Sequence, residues 1–187
     1  ENFKNVKGIA KAKSEIINNI NRGGTIVLNR DDRFFNYLKN IAKKRKIKII
    51  SFGNSKKADI CLVKSRQIKN NNILKVRAIN EILPLKAKKN SNLNVSSILC
   101  CVALLKIFNL DLVRIKNFFE NIHSLTGRGK IYNVNRYKTK FKLIDESYNA
   151  NPLSVKNAIK NLSNMEGKNY KKYLLLGDML ELGKRSD

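Results

Sequence analysis

Asp145, Tyr148 and Asn149 stand close together in the stretch FKLIDESYNANPLSVKNAI, from Phe141 to Ile159, with Asn151-Pro152 directly after them. A carboxylate, a phenol and amides gathered at one turn can hold a polar ligand through hydrogen bonds. Upstream, Arg128 lies between Gly127 and Gly129. An arginine flanked by glycines can approach a phosphate closely and neutralise it with a forked set of donors. Each of these groups has a plainer reading. Asp145 and Asn149 could only tie up turn backbone, Asn151 could only cap a helix, and Arg128 could be a solvated turn residue. His123 is the only histidine, so there is no Ser-His or Cys-His arrangement with reserve partners and no His-rich metal cluster; its reading is structural.

The elements that must position these groups are legible nearby. The apolar run Phe141, Leu143, Ile144 reads as a strand ending at Asp145, paired with Ile131 to Val134 around the basic turn Asn135 to Lys140. Asn151 supplies an N-cap and Pro152 the first helical position, so a helix is expected from Pro152, with Leu153, Val155, Ile159 and Leu162 on its apolar side and Gly167 as its stop. Tyr173 to Gly177, YLLLG, reads as a second strand. Strand, helix, strand makes a βαβ unit, which would put Asp145 and Asp178 at the carboxyl ends of two parallel strands, facing one crevice.

Earlier in the chain, Val6, Ile9, Ala10, Ala12, Ile16, Ile17 and Ile20 recur at helical spacing before Gly23-Gly24. TIVLN, from Thr25 to Asn29, reads as a buried strand, and Asp31 or Asp32 is expected to cap the helix through Phe34, Phe35, Leu38 and Ile41. Short strands follow at Ile47 to Phe52, Asp59 to Val63 and Ile73 to Ile79, with a polar loop at Asn70 to Asn72. Asn94 to Leu105 is the most apolar helix, ended near Asn109, and Val113 to Phe119 is expected to continue helical. This alternation predicts an α/β fold.

The 187 residues are 42% hydrophobic, enough for a core, and carry no flexible linker or internal repeat. A net charge of +25 ordinarily points to nucleic acid or anionic membranes. Here the excess is mostly lysine spread along the chain without arginine-aromatic interleaving, so specific nucleic-acid binding is not expected. The KKRKIK cluster at Lys43 to Lys48 falls at a helix end, where cations are favoured. Cys61, Cys100 and Cys101 lie in apolar runs without metal-ligand spacing and read as buried free thiols in a reducing cytoplasm. No signal peptide is visible, and the run around Ile98 to Leu105 is too short to span a bilayer.

Several strings, in order, resemble the Mur ligases: AKSEI at Ala12 to Ile16, LNRDD at Leu28 to Asp32, GRG at Gly127 to Gly129, DESYNANP at Asp145 to Pro152, and GDMLELG at Gly177 to Gly183. The last two are most similar to the member that joins D-alanyl-D-alanine to UDP-MurNAc-tripeptide. The resemblance covers nearly the whole chain. It implies the later part of a central ATPase domain at residues 1–130 and, at residues 131–187, the start of a Rossmann-like C-terminal domain.

Such a ligase uses ATP and Mg²⁺ to turn the tripeptide's terminal carboxylate into an acyl phosphate, which the amine of D-alanyl-D-alanine attacks. The resemblance assigns Lys13 as a carbamate that binds Mg²⁺, although by spacing alone it is one helix-surface lysine among many. It assigns Arg128 to phosphate charge, and Asp145, Tyr148 and Asn149 to the nucleotide. Ser97, in LNVSSILCC, takes the place of the family's adenine-contacting asparagine and reaches less far. A cytoplasmic protein without membrane insertion, monomeric at full length, is implied. No GxxGK[ST] phosphate loop occurs, so an internal fragment, inactive alone, is expected. The alternatives are another amide ligase of the Mur or folylpolyglutamate synthetase architecture, or a basic noncatalytic nucleic-acid-binding module.

Overall fold

The computed structural model describes residues 5–69, 71–88, 94–122, 124–136, 138–165 and 171–179. The chain divides into two compact units, Phe3–Ile122 and His123–Asp187.

The first unit is built on a five-stranded sheet in the order β1-β2-β3-β4-β5. Its strands are β1 (Thr25–Asn29), β2 (Lys48–Gly53), β3 (Ile60–Ile68), β4 (Asn71–Ala78) and β5 (Glu81–Lys88). β1, β2 and β3 run parallel, whereas β3, β4 and β5 form an antiparallel meander. Parallel neighbours normally need a long return crossover. β2 and β3 avoid one because only Phe52↔Ile60 and Gly53↔Cys61 pair. β3 begins where β2 ends and runs onward, so the chain never travels back.

Three α-helices accompany this sheet: α1 (Val6–Ser14), α2 (Phe35–Lys44) and α3 (Val95–Ile107). Alternation along the strands divides the apolar residues between two faces. Val27 and Ile50 join the main core with Ile98, Leu99, Val102 and Ala103 of α3. Ile26 and Ile49 join a smaller cluster with Ile17, Leu38, Ile41, Ala42 and Ile47. The parallel strands therefore carry helices on both sides, as an α/β sheet must. In the meander, Leu74, Val76 and Ala78 of β4 and Leu83, Leu85 and Ala87 of β5 turn one face into the main core.

Several expectations need correction. α1 is α-helical only to Ser14; Glu15–Asn19 continues as a 3-10 turn. Asn71 and Asn72 belong to β4 rather than to a loop, and β5 is a further strand. Pro84 is tolerated in β5 because that strand is the sheet's edge. Val113 to Phe119 is not one helix but parts of two 3-10 turns, Leu112–Ile115 and Phe118–Glu120. The carbonyl of Lys116 accepts the amide of Lys86 at 2.7 Å, so it serves the sheet edge instead of a helical ladder.

In the second unit, β6 (Lys130–Arg136) and β7 (Thr139–Asp145) form the expected antiparallel hairpin, followed by α4 (Pro152–Ser163). Asn151 caps α4 reciprocally: its side chain accepts from the Ser154 amide at 2.9 Å, and the Ser154 hydroxyl accepts from the Asn151 amide at 3.0 Å. The second strand of the anticipated βαβ unit is not formed among the described residues. Residues 171–179 join no ladder, and Leu175 is fully exposed. Being apolar does not make a strand; hydrogen-bonded neighbours do. Asp178 is thus not at a strand end beside Asp145. Gly167 and His123 lie outside the described residues, as does Leu180 onward in GDMLELG.

Candidate functional site

Two turns interlock in the second unit. The Gly129 amide donates to the Asp145 carbonyl at 2.7 Å, extending the β6–β7 register in which Lys130 faces Asp145. The Gly127 amide donates to Asp145 Oδ2 at 3.0 Å, and the Tyr148 amide donates back to the Gly127 carbonyl at 3.1 Å. On the other carboxylate oxygen, Oδ1, Asp145 accepts the Ser147 amide at 3.1 Å and the Ser147 hydroxyl at 2.6 Å. Arg128 is thereby fixed at both flanking residues, and its guanidinium carbon lies 4.3 Å from the centroid of the Tyr148 ring. That is cation–π distance.

Sequence reasoning named Arg128, Asp145, Tyr148 and Asn149 as site residues; the structure brings Arg128 against the Tyr148 ring and ties Asp145 to the glycines that flank Arg128, and Asn149 follows, exposed, just after Tyr148. The plain reading of Asp145 as a turn organiser is also fulfilled, since three donors converge on its carboxylate. Ser147 was not singled out, although Asp-x-Ser is a turn signature that could have revealed it.

The Ser147 hydroxyl, followed by the Ser147 amide, holds the Asp145 carboxyl below its ordinary range; partial desolvation opposes this, and the Gly127 amide and Lys130 assist. Glu146 moves upward, through desolvation and then the neighbouring Asp145 charge. Because the folded Asp145 pKa is lowered, its contribution to holding the turn is complete above the unfolded value of about 3.9 and is lost as pH falls through the folded value. An NMR acid titration should therefore show the Ser147 and Gly127 amides shifting together at a midpoint below about 3.9. A midpoint at or above that value would remove the hydrogen-bonded carboxylate from the account.

Gly127 has φ +74°, and a Cβ there would lie 2.8 Å from Tyr148 Cβ and 3.0 Å from its nitrogen. Gly127→Ala should open the interlock at about 1–3 kcal/mol. Gly177→Ala is the matched control, because a Cβ there meets nothing. Comparable thermal denaturation curves for both variants would show that the interlock contributes nothing.

In the first unit, Lys13 is exposed on the rim of a shallow depression of about 170 Å³, with Asp32, Arg33 and Phe34 among its other lining residues. Asp32 does not cap α2: the N-cap is Phe34, without a side-chain cap bond, and Asp32 Oδ1 accepts the Phe34 amide at 2.7 Å in the turn just before the helix. Asp31 does not cap it either. Its carboxylate accepts the amides of Asn54 at 2.6 Å and Ser55 at 3.0 Å, clasping the β2–β3 loop to the end of β1. Ser97 is exposed in the first turn of α3, where Asn94 is the N-cap through its acceptor bond from the Ser96 amide.

Among the described residues, no group of three or more His, Cys, Asp or Glu could hold a metal ion. Mg²⁺, however, is commonly bound by one or two carboxylate-like groups together with water and substrate phosphates. Lys13 and Asp32 line the same depression, which puts one carboxylate beside that lysine. Among the described residues no helix is long and apolar enough to cross a membrane.

Residues 1–105 match the family model described as the Mur ligase middle domain. The chain belongs to the Mur ligase family. Over 183 residues it is 31% identical to the UDP-N-acetylmuramoyl-tripeptide--D-alanyl-D-alanine ligase of Buchnera aphidicola subsp. Baizongia pistaciae, covering 97% of this chain and 38% of that protein. It is 26% identical to the ligase of the same description from Escherichia coli K12, covering 100% of this chain and 40% of that one. Among solved structures, it is similar to MurF from Acinetobacter baumannii, with TM-score 0.76 and 25% identity over 96% of this chain and 37% of that chain. It also shares the fold of Thermotoga maritima MurF in complex with ADP, with TM-score 0.72 and 22% identity over 100% of this chain and 40% of that chain. The chain thus spans about two fifths of the length of these curated relatives.

Proposed function

We propose that this chain contributes to an ATP-dependent ligase that joins D-alanyl-D-alanine to UDP-MurNAc-tripeptide in the cytoplasm. The observation that carries the reading is the interlocked Gly127-Arg128-Gly129 and Asp145–Tyr148 turn, which presents a fixed cation beside a polar turn. The substrates are those for which the similar ligases are named, and the ADP complex of a relative supports a nucleotide ligand.

In this reading the tripeptide carboxylate takes the γ-phosphoryl group of ATP, releasing ADP. The amine of D-alanyl-D-alanine then attacks the acyl carbon, phosphate departs, and the amine's surplus proton passes to solvent. Arg128 stabilises negative charge as phosphoryl oxygens gain it. Asp145 and Asn149 line the approach to the nucleotide, with Tyr148 between them in the chain, and Ser97 offers a hydroxyl to the base. Lys13, as its carbamate, would hold Mg²⁺, which when bound neutralises phosphate charge.

The test is phosphate release by the product of the complete reading frame, with UDP-MurNAc-tripeptide and ATP, with and without D-alanyl-D-alanine, for wild type and Lys13→Ala. Release that needs both substrates and is lost in the variant supports the ligase and the Lys13 role. Absence of substrate-dependent release by wild type would overturn the reading.

A further inference from the structure

Tyr148 is 67% exposed, yet the centroid of its ring sits 4.3 Å from the guanidinium carbon of Arg128. Two backbone features make that approach more than a chance contact of surface side chains. The Tyr148 amide is bonded to the Gly127 carbonyl, immediately before Arg128, and the Gly127 amide is bonded to Asp145. Both main-chain segments are therefore held in register, and the absence of a Cβ at Gly127 lets the Tyr148 backbone come in against it. An unconstrained arginine samples many rotamers and loses that freedom on binding an anion. A guanidinium lying on an aromatic face keeps its in-plane N–H donors pointing outward while one face is covered.

We propose that Tyr148 is a positioning residue: its ring is the platform on which Arg128 is held ready for the phosphate groups of the nucleotide. The proposal rests on the ligase reading above but assigns Tyr148 a different task from direct nucleotide contact. Its action passes through Arg128, so the π-face matters and the phenolic hydroxyl does not.

The experiment is a double-mutant cycle in the product of the complete reading frame, reading kcat and KM for ATP by phosphate release. Tyr148→Leu should lower kcat/KM for ATP by about two- to five-fold, the scale of an exposed cation–π contact. Tyr148→Phe should restore the wild-type value. On an Arg128→Ala background, Tyr148→Leu should have no further effect. Equal losses in both backgrounds, or a Tyr148→Phe variant as impaired as Tyr148→Leu, would overturn the proposal while leaving the ligase intact. If wild type itself releases no substrate-dependent phosphate, the ligase reading fails, and the platform role fails with it. The stack itself is read separately from the Arg128 side-chain Hε resonance. An upfield ring-current shift in wild type that vanishes in Tyr148→Leu supports the platform, and an unshifted resonance in wild type overturns it.

Discussion

Arg128→Ala, in the product of the complete reading frame, is expected to reduce substrate-dependent phosphate release by about 10²–10³-fold, the scale of losing one preorganised donor at a developing negative charge. The variant is informative because the bonds that shape the turn come from its neighbours. Gly127 and Gly129 donate to Asp145, and Gly127 accepts from Tyr148, through main-chain atoms that the substitution leaves in place. The expected loss is therefore catalytic and not conformational. The Ser147 amide resonance, which reports its bond to Asp145, should keep its wild-type position. Arg128→Lys should recover only part of the rate, since an ammonium is a point charge without the planar fork. Release by Arg128→Ala within about two-fold of wild type would exclude Arg128 from the chemistry.

The largest expected effect on stability lies in the other unit. Phe119 is 2% exposed and comes from a 3-10 turn, not from a long element, yet it sits in the main core with Leu85 and Leu112. Phe119→Ala should lower the unfolding free energy of this unit by about 3–5 kcal/mol through lost transfer energy and the cavity left behind. Against a typical total of about 5–15 kcal/mol, that is enough to shift the denaturation midpoint far to lower denaturant. Phe118 is the internal comparison. Its ring meets that of Phe119 edge to face with centroids 5.6 Å apart, but it is 58% exposed. Phe118→Ala should cost only about 0.5–1.5 kcal/mol, the scale of an aromatic pair. Equal midpoint shifts for the two variants would mean that Phe119 does not anchor the core.

What the sequence makes legible follows from how far apart the cooperating residues lie. The start of α4 is readable because Asn151, Pro152 and Ser154 are neighbours and the cap is a local bond. The β6–β7 hairpin is readable for the same reason, as its partners flank one turn. Tyr173 to Gly177 misleads because apolar composition reports a wish to be buried, whereas a strand also requires a neighbour with matching hydrogen bonds. β5 escapes notice because Pro84, although it takes an outward position in the regular alternation of Leu83, Leu85 and Ala87, argues against a strand. Only its place at the edge of the sheet makes that proline harmless.

The site shows the same division. The residue types at Arg128, Asp145 and Tyr148 already suggest anion chemistry, but no spacing rule says that the ring of Tyr148 lies under Arg128. That contact depends on the two turns being tied together across the hairpin. Asp31 is the converse case. Its place just before a helix suggested a cap, whereas its actual partners, Asn54 and Ser55, lie beyond the next strand.

The clasp made by Asp31 also constrains how this chain can vary. Gly53 has φ +156°, and a Cβ on it would stand 2.7 Å from both oxygens of the Asp31 carboxylate. The two positions are a single choice made at two places. With the acid present, the glycine cannot acquire a side chain without displacing it. Were the acid replaced by a smaller neutral residue, position 53 would lose its clash with the carboxylate while keeping the strain of its positive φ, and the Asn54 and Ser55 amides would need other acceptors. A side chain at 53 should therefore cost less once Asp31 is replaced, leaving only the strain of its positive φ, so that the end of β1 restricts what the end of β2 can become.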